Sequence, residues 1–173
     1  MTTRLPDVEQ LLDALIKQIR GNIKPDTGII GIYTGGVWVA ERLHAALGSD
    51  VPMGTIDIAF YRDDYGRRGL HDSVKPSDIP FDVGDRDIIL VDDVLYTGRT
   101  IRAAMNELFD YGRPGCVMLA ALVDRGGRQL PIEPRFLGAE VSVPDNELVS
   151  LEREDSGSLR LSLRPRTADN NKP

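Results

Sequence analysis

Residues 88–108 read IILVDDVLYTGRTIRAAMNEL, and the rest of the chain is organised around them. The apolar run 88–91 has the form of a strand buried on both faces, as in parallel sheets. Asp92 and Asp93 stand where that strand is expected to end. Tyr96, Thr97, Gly98, Arg99 and Thr100 make a turn, and Ile101, Met105, Leu108 and Phe109 follow at helical spacing. A strand, a glycine turn and a helix start offer free N–H groups and a helix dipole to a phosphate. Hydrogen bonds to a charged group contribute about 1.5–3 kcal/mol each, so Thr97 and Thr100 hydroxyls and the Arg99 charge together suffice to anchor a phosphomonoester. The two carboxylates would repel that phosphate if they faced it. They suit vicinal hydroxyls instead, so the pattern describes a phosphate beside a diol, a ribose 5-phosphate. Two other phosphate loops are excluded, because neither G-x-G-x-x-G nor G-x-x-x-x-G-K-[ST] occurs here. An Asp-Asp pair that binds Mg²⁺, or a plain strand–turn–helix connection, are the alternatives.

Two more strand ends have the same form. Residues 28–33 read as a buried strand ending at Thr34, Gly35 and Gly36, with a helix over 37–47 closed by Gly48. This loop is either a tight turn or a second anion cradle. Residues 115–123 read as an apolar strand ending at Val123, Asp124, Arg125, Gly126 and Gly127. In open α/β sheets ligands bind at the carboxyl ends of parallel strands, so one ligand is expected to touch all three loops.

Around these lie the remaining elements. A helix is expected over 6–20, where Val8, Leu11, Leu12, Leu15, Ile16 and Ile19 form an apolar stripe. Residues 51–61 alternate as a strand. Residues 62–79 are polar and too long for a routine connection, which makes them a lid or a solvated loop. Phe136, Leu137, Gly138 and Val141 read as short edge strands, residues 148–151 and 159–163 as a hairpin around Asp155, Ser156 and Gly157, and residues 164–173 as a frayed polar tail after a single domain 1–163.

The chain has 173 residues and a formal charge of −6, which speaks against strong non-specific nucleic-acid binding without excluding a local basic patch. The N-terminal twelve residues lack the apolar core of a signal peptide, and no run reaches the ~20 apolar residues of a membrane span, so the expected location is cytoplasmic. The single Cys116 is expected inside a strand as a small buried hydrophobe. His44 and His71 are separated and lack cysteine partners, which argues against structural zinc. Trp38 is read as packing.

The run 88–100 resembles the phosphoribosyl pyrophosphate (PRPP) motif of type I phosphoribosyltransferases. With IDIAFYRDD upstream and VDRG downstream, the chain is similar to one branch, the bifunctional pyrimidine-operon regulators with uracil phosphoribosyltransferase activity, over most of residues 5–140. The resemblance implies an α/β fold: a central, mostly parallel sheet flanked by helices, a flexible lid at 62–79 and a small base-side subdomain. It implies transfer of ribose phosphate from PRPP to uracil, giving UMP and pyrophosphate with Mg²⁺, in proteins that also regulate pyrimidine synthesis in response to uridine nucleotides. Asp92, Asp93 and Arg62 are then the catalytic candidates. Asp92, Asp93, Val94, Leu95, Tyr96, Thr97, Gly98, Arg99 and Thr100 bind ribose and 5′-phosphate. Thr34, Gly35 and Gly36 hold pyrophosphate, and Arg67, Arg68 and Lys75 meet it from the lid. Val123, Asp124, Arg125 and Gly126 lie by the base, where the main chain of 129–132 reads the pyrimidine, and Asp124 also approaches Mg²⁺. A dimer or tetramer is implied as well.

Two departures from the resemblance matter. Many members carry Arg where this chain has Gly35. Members that bind RNA tend to be basic after the third strand, whereas this chain has Gly127 for His, Glu133 for Arg and Ala139 for Lys, with Arg125 and Arg128 retained. RNA binding is therefore expected to be weak or absent. The rival readings are an RNA-binding attenuation regulator with vestigial catalysis, and a purine or xanthine phosphoribosyltransferase.

Overall fold

The computed structural model describes residues 5–58 and 76–166. Helix α1 (Val8–Arg20) starts at Asp7, whose carboxylate accepts the Gln10 N–H at 3.1 Å, and buries Val8, Leu11, Leu12, Leu15 and Ile19. Strand β1 (Gly28–Ile32) leads to α2 (Gly35–Leu47), which begins two residues before the expected start. Then come β2 (Met53–Ile56), β3 (Asp87–Leu95), α3 (Arg99–Asp110), β4 (Cys116–Asp124) and β5 (Phe136–Glu140). The hairpin β6 (Glu147–Arg153) and β7 (Leu159–Pro165) closes the fold around Gly157, whose φ of +86° glycine adopts without strain.

Strands β1 to β5 form one parallel sheet in the order β2-β1-β3-β4-β5. Every residue of β1 is buried, as are the first six of β3, so both faces are covered. Ile29, Ile89, Val91 and Leu122 face α1, α2 and the hairpin. Ile30, Ile88, Leu90 and Ala121 face Ile101, Ala104 and Leu108 of α3. Each such large side chain contributes about 1.5–3 kcal/mol by leaving water. No helix of the described residues is long and apolar enough to cross a membrane.

Four expectations are corrected. Strand β3 does not end at Val91 but runs through both aspartates to Leu95, because β4 continues to pair with it. Cys116 is exposed, since it is the first residue of β4 and precedes the covered part of the sheet. Phe109 is 55% exposed; α3 turns Ile101, Ala104 and Leu108 inward and leaves Phe109 outside that stripe. Arg164 and Pro165 belong to β7, and Arg166 packs against Tyr96 instead of fraying.

Of the expected lid, residues 62–75 lie outside the described part. Its last residues are tied down: Asp78 pairs with Thr55 through N–H to O bonds of 2.7 and 2.9 Å, and Ser77 Oγ accepts the Asp57 N–H at 3.0 Å. Trp38 packs on the core beside α1 and α2, as expected.

Candidate functional site

The site is created where β1 leaves the sheet before β3 does. Pairing of β1 with β3 ends at Gly31 and Val91, whereas β4 follows β3 as far as Leu95 and Asp124. The first turn of α2 fills the place that β1 vacates. Gly36 makes this possible, because a β-carbon there would lie 2.5 Å from Val91 O and 3.0 Å from Asp92 Cα. Beyond Val91 the side of β3 that faces the first loop therefore no longer pairs with β1. Successive side chains of a strand point to opposite faces, so Asp92 continues the α3 side and Asp93 the α2 side. Asp92 is buried and accepts the Asp93 N–H at 3.0 Å; Asp93 is half-buried.

Two helix N-termini converge on this edge. Helix α2 begins at Thr34, after a cis Tyr33–Thr34 peptide, and α3 begins at Gly98. Neither has a side-chain cap or an acidic residue in its first turn. The first-turn N–H groups of a helix have no partner within it, so these two starts are open to an anion. Gly98 has φ +89°, the left-handed region where glycine is at ease, and a β-carbon there would touch Ile132 at 3.3 Å. Thr97 Oγ accepts the Arg99 N–H at 3.3 Å, and the Arg99 Nε donates to Gln129 Oε1 at 2.8 Å.

The third loop folds over the second. Thr97 O accepts the N–H groups of Gln129 and Leu130 at 3.0 and 3.2 Å, and Leu95 O accepts that of Arg125 at 3.0 Å. Asp124 is buried, and its carboxylate accepts the Gly126 N–H at 2.8 Å and both terminal nitrogens of Arg128. The same guanidinium donates to Tyr96 O at 2.9 Å and Ile132 O at 2.7 Å. Burial pushes the Asp124 carboxyl up, but the Arg128 and Gly126 hydrogen bonds outweigh it and hold the group below the ordinary carboxylate range. Arg125 lies 4.3 Å from the centre of the Tyr96 ring and Arg166 lies 5.5 Å from it, so two guanidinium groups lie near the ring.

Asp92 to Thr100, the Thr34–Gly36 loop and the Val123–Gly126 loop thus meet on adjacent strands β1, β3 and β4. Arg62, Arg67, Arg68 and Lys75 fall outside the described residues. Sequence reading did not single out Gln129, Arg128 or Arg166 as supports of the second loop. Arg128 had a signal, its spacing of four from Asp124, but Arg166 had none because it arrives from the far end of a hairpin. Among the described residues no group of three or more His, Cys, Asp or Glu side chains could hold a metal. Mg²⁺ is commonly held by one or two carboxylates together with substrate phosphates; the carboxylate of Asp124, expected to approach it, is here engaged by Arg128.

A family model described as a phosphoribosyl transferase domain matches residues 2–145. The bifunctional protein PyrR of Nitrosococcus oceani is 59% identical over 129 residues, covering 73% of each chain. That of Ralstonia nicotianae is 46% identical over 175 residues, covering 97% of this chain and all of the relative. A crystal structure of a purine phosphoribosyltransferase from Pyrococcus horikoshii superimposes with a TM-score of 0.58 at 27% identity, covering 78% of this chain and 82% of that one.

Proposed function

Because the chain belongs to the phosphoribosyltransferase family, and within it to the bifunctional PyrR group, we propose that it transfers ribose 5-phosphate from PRPP to uracil, giving UMP and pyrophosphate. The observation that carries this is the meeting of two uncapped helix starts and the adjacent Asp92 and Asp93 on one strand end. The 5′-phosphate sits on Thr97, Gly98, Arg99 and Thr100 at the start of α3. Pyrophosphate sits on Thr34, Gly35 and Gly36 at the start of α2. Asp92 and Asp93 reach the ribose hydroxyls from either side of β3. The bond from the anomeric carbon to pyrophosphate breaks, the bond to uracil N1 forms, and the N1 proton is released. The negative charge of the aspartates favours the cationic sugar of the transition state. Binding of the remote 5′-phosphate positions the reacting carbon.

Mg²⁺ enters with the pyrophosphate as part of the substrate, neutralising the leaving group. Asp124 serves as the buried anchor of Arg128, and the main chain of 129–132 reads the base. The expected lid over 62–79, with Arg62 at its hinge and Arg67, Arg68 and Lys75 as its contacts to the pyrophosphate, would exclude water that hydrolyses the sugar cation; its residues 62–75 lie outside the described part. The protein acts in the cytoplasm, as a dimer or tetramer.

A panel of uracil, orotate, hypoxanthine, guanine and xanthine with PRPP and Mg²⁺ tests the reading. Uracil is expected to give the highest turnover. A purine that outperforms it would retain the PRPP site and move the base assignment towards the purine enzyme that the fold also matches. Regulation by RNA binding is expected to be weak. Its two retained cations after β4 are turned inward, Arg125 onto the Tyr96 ring and Arg128 onto Asp124, and RNA affinity depends on cations that can meet phosphates. Tight, sequence-selective binding of a pyrimidine-operon leader at physiological salt would contradict this.

A further inference from the structure

Gln129 grips the second loop on both sides of Gly98. Its N–H donates to Thr97 O at 3.0 Å, and its side-chain Oε1 accepts the Arg99 Nε–H at 2.8 Å. A guanidinium only donates, so the amide of Gln129 is oriented without ambiguity, its oxygen on Arg99. Between the two grips stands Gly98, left-handed at φ +89°, where a β-carbon would lie 3.3 Å from Ile132 and 3.4 Å from Leu130. The segment spends its other donors inward as well. The Leu130 N–H goes to Thr97 O at 3.2 Å, the Ile132 N–H goes to Leu130 O at 2.8 Å, and Pro131 has none. The main chain of 129–132 therefore keeps only carbonyl oxygens for a base, and the side chain of Gln129 serves the phosphate side.

We propose that Gln129 is the positioning residue for Arg99: held at Nε, the guanidinium keeps one plane and offers its two terminal nitrogens to the 5′-phosphate. A residue of the base-side loop thus governs affinity for the sugar phosphate. An arginine loses rotamer freedom when a phosphate captures it, and one that is already held loses less. The inference rests on the phosphoribosyl reading for what Arg99 meets; the contact itself does not.

The full-length Gln129→Met protein, which keeps the length of the side chain and removes its acceptor, tests this by calorimetry with ribose 5-phosphate and by steady-state kinetics. Loss of the one hydrogen bond is expected to weaken ribose 5-phosphate about fivefold and to raise KM for PRPP by a similar factor. Over the same change kcat and KM for uracil are expected to stay within about twofold. Gln129→Glu keeps an acceptor and is expected to recover most of the loss. In an Arg99→Met background, Gln129→Met is expected to add less than about twofold. Unchanged ribose 5-phosphate binding, or a rise confined to KM for uracil, would overturn the proposal, as would equal losses with and without Arg99. Hydrogen exchange at Arg99 Nε, followed by NMR, supplies a readout without ligand. It is expected to be several-fold slower in wild type and Gln129→Glu than in Gln129→Met, and equal rates overturn the contact. If wild type binds neither ribose 5-phosphate nor PRPP, the phosphoribosyl reading fails and the exchange rates alone decide whether Gln129 holds Arg99.

Discussion

Helix α1 begins at Asp7, which accepts the Gln10 N–H, and carries Glu9 in its first turn, whereas α2 and α3 begin at Thr34 and Gly98 with no side-chain cap and no acid in the first turn. A cap contributes about 0.5–2 kcal/mol, so two of the three helices among the described residues forgo stability that the third takes. The difference follows position. Helix α1 starts away from the strand edge, beside the hairpin, and answers its own N–H groups. Helices α2 and α3 start on the edge without an N-cap side chain, although Thr97 Oγ accepts the Arg99 N–H at the start of α3. The third loop behaves like α1: Asp124, Gly126 and Arg128 satisfy one another, which makes it a support and not an anion site. Self-satisfied groups thus mark the supporting parts of the molecule, and uncapped helix starts mark the parts proposed to hold a ligand.

The largest test of that contrast converts an open start into a closed one. Thr100→Asp puts a carboxylate in the first turn of α3, where the dipole favours it by about 0.3–1 kcal/mol, so Tm is expected to hold or rise by ~1–3 °C. On the proposed reading the same substitution removes a hydroxyl donor to the 5′-phosphate and repels it, which is expected to lower kcat/KM for PRPP by roughly a hundredfold or more. Steady-state kinetics and thermal melts read the two effects separately. A fall in both together would mean that the start of α3 is merely structural.

Next in size is Arg128→Ala, which opens the loop that closes itself. With 18% and 10% side-chain exposure, Arg128 and Asp124 are nearly dry, and removing one partner of a buried pair costs about 3 kcal/mol or more. A Tm loss of ~6–12 °C is expected. Because the Asp124 carboxyl is held below its unfolded pKa, its contribution is present above that value and fades as pH falls through the folded one. Below about pH 4 the gap between Arg128→Ala and wild type should therefore narrow. A gap that is constant from pH 7 to pH 3 would remove Asp124 from the explanation.

Much of this was legible in the residues. The apolar runs 28–32 and 88–91 marked strands covered on both faces, and glycines after three strands marked the loops that the sheet places side by side. Where β3 ends was not legible. Carboxylates suggest a strand end, yet β3 runs on through Asp92 and Asp93 because β4 continues beside it after β1 has left. A local pattern carries no information about which neighbour departs first. Cys116 and Phe109 were misplaced for a related reason, since periodicity gives the stripe but not where along a strand or helix its cover stops.

The smallest effect belongs to the closed start. Asp7→Ala removes the side-chain acceptor for the Gln10 N–H at an exposed position, and such a cap is worth about 1 kcal/mol, or a Tm loss of ~2–4 °C. Asn at position 7 keeps the acceptor and should recover most of that loss. Neither variant is expected to change kcat or KM for PRPP, because no ligand group reaches α1. Melts and kinetics on Asp7→Ala and Asp7→Asn therefore give the mirror image of Thr100→Asp, with stability moving while binding stays. A change in PRPP affinity in Asp7→Ala that Asp7→Asn reverses would tie α1 to the site through the core it shares with α2, and the division between supporting and ligand-holding helix starts would no longer stand.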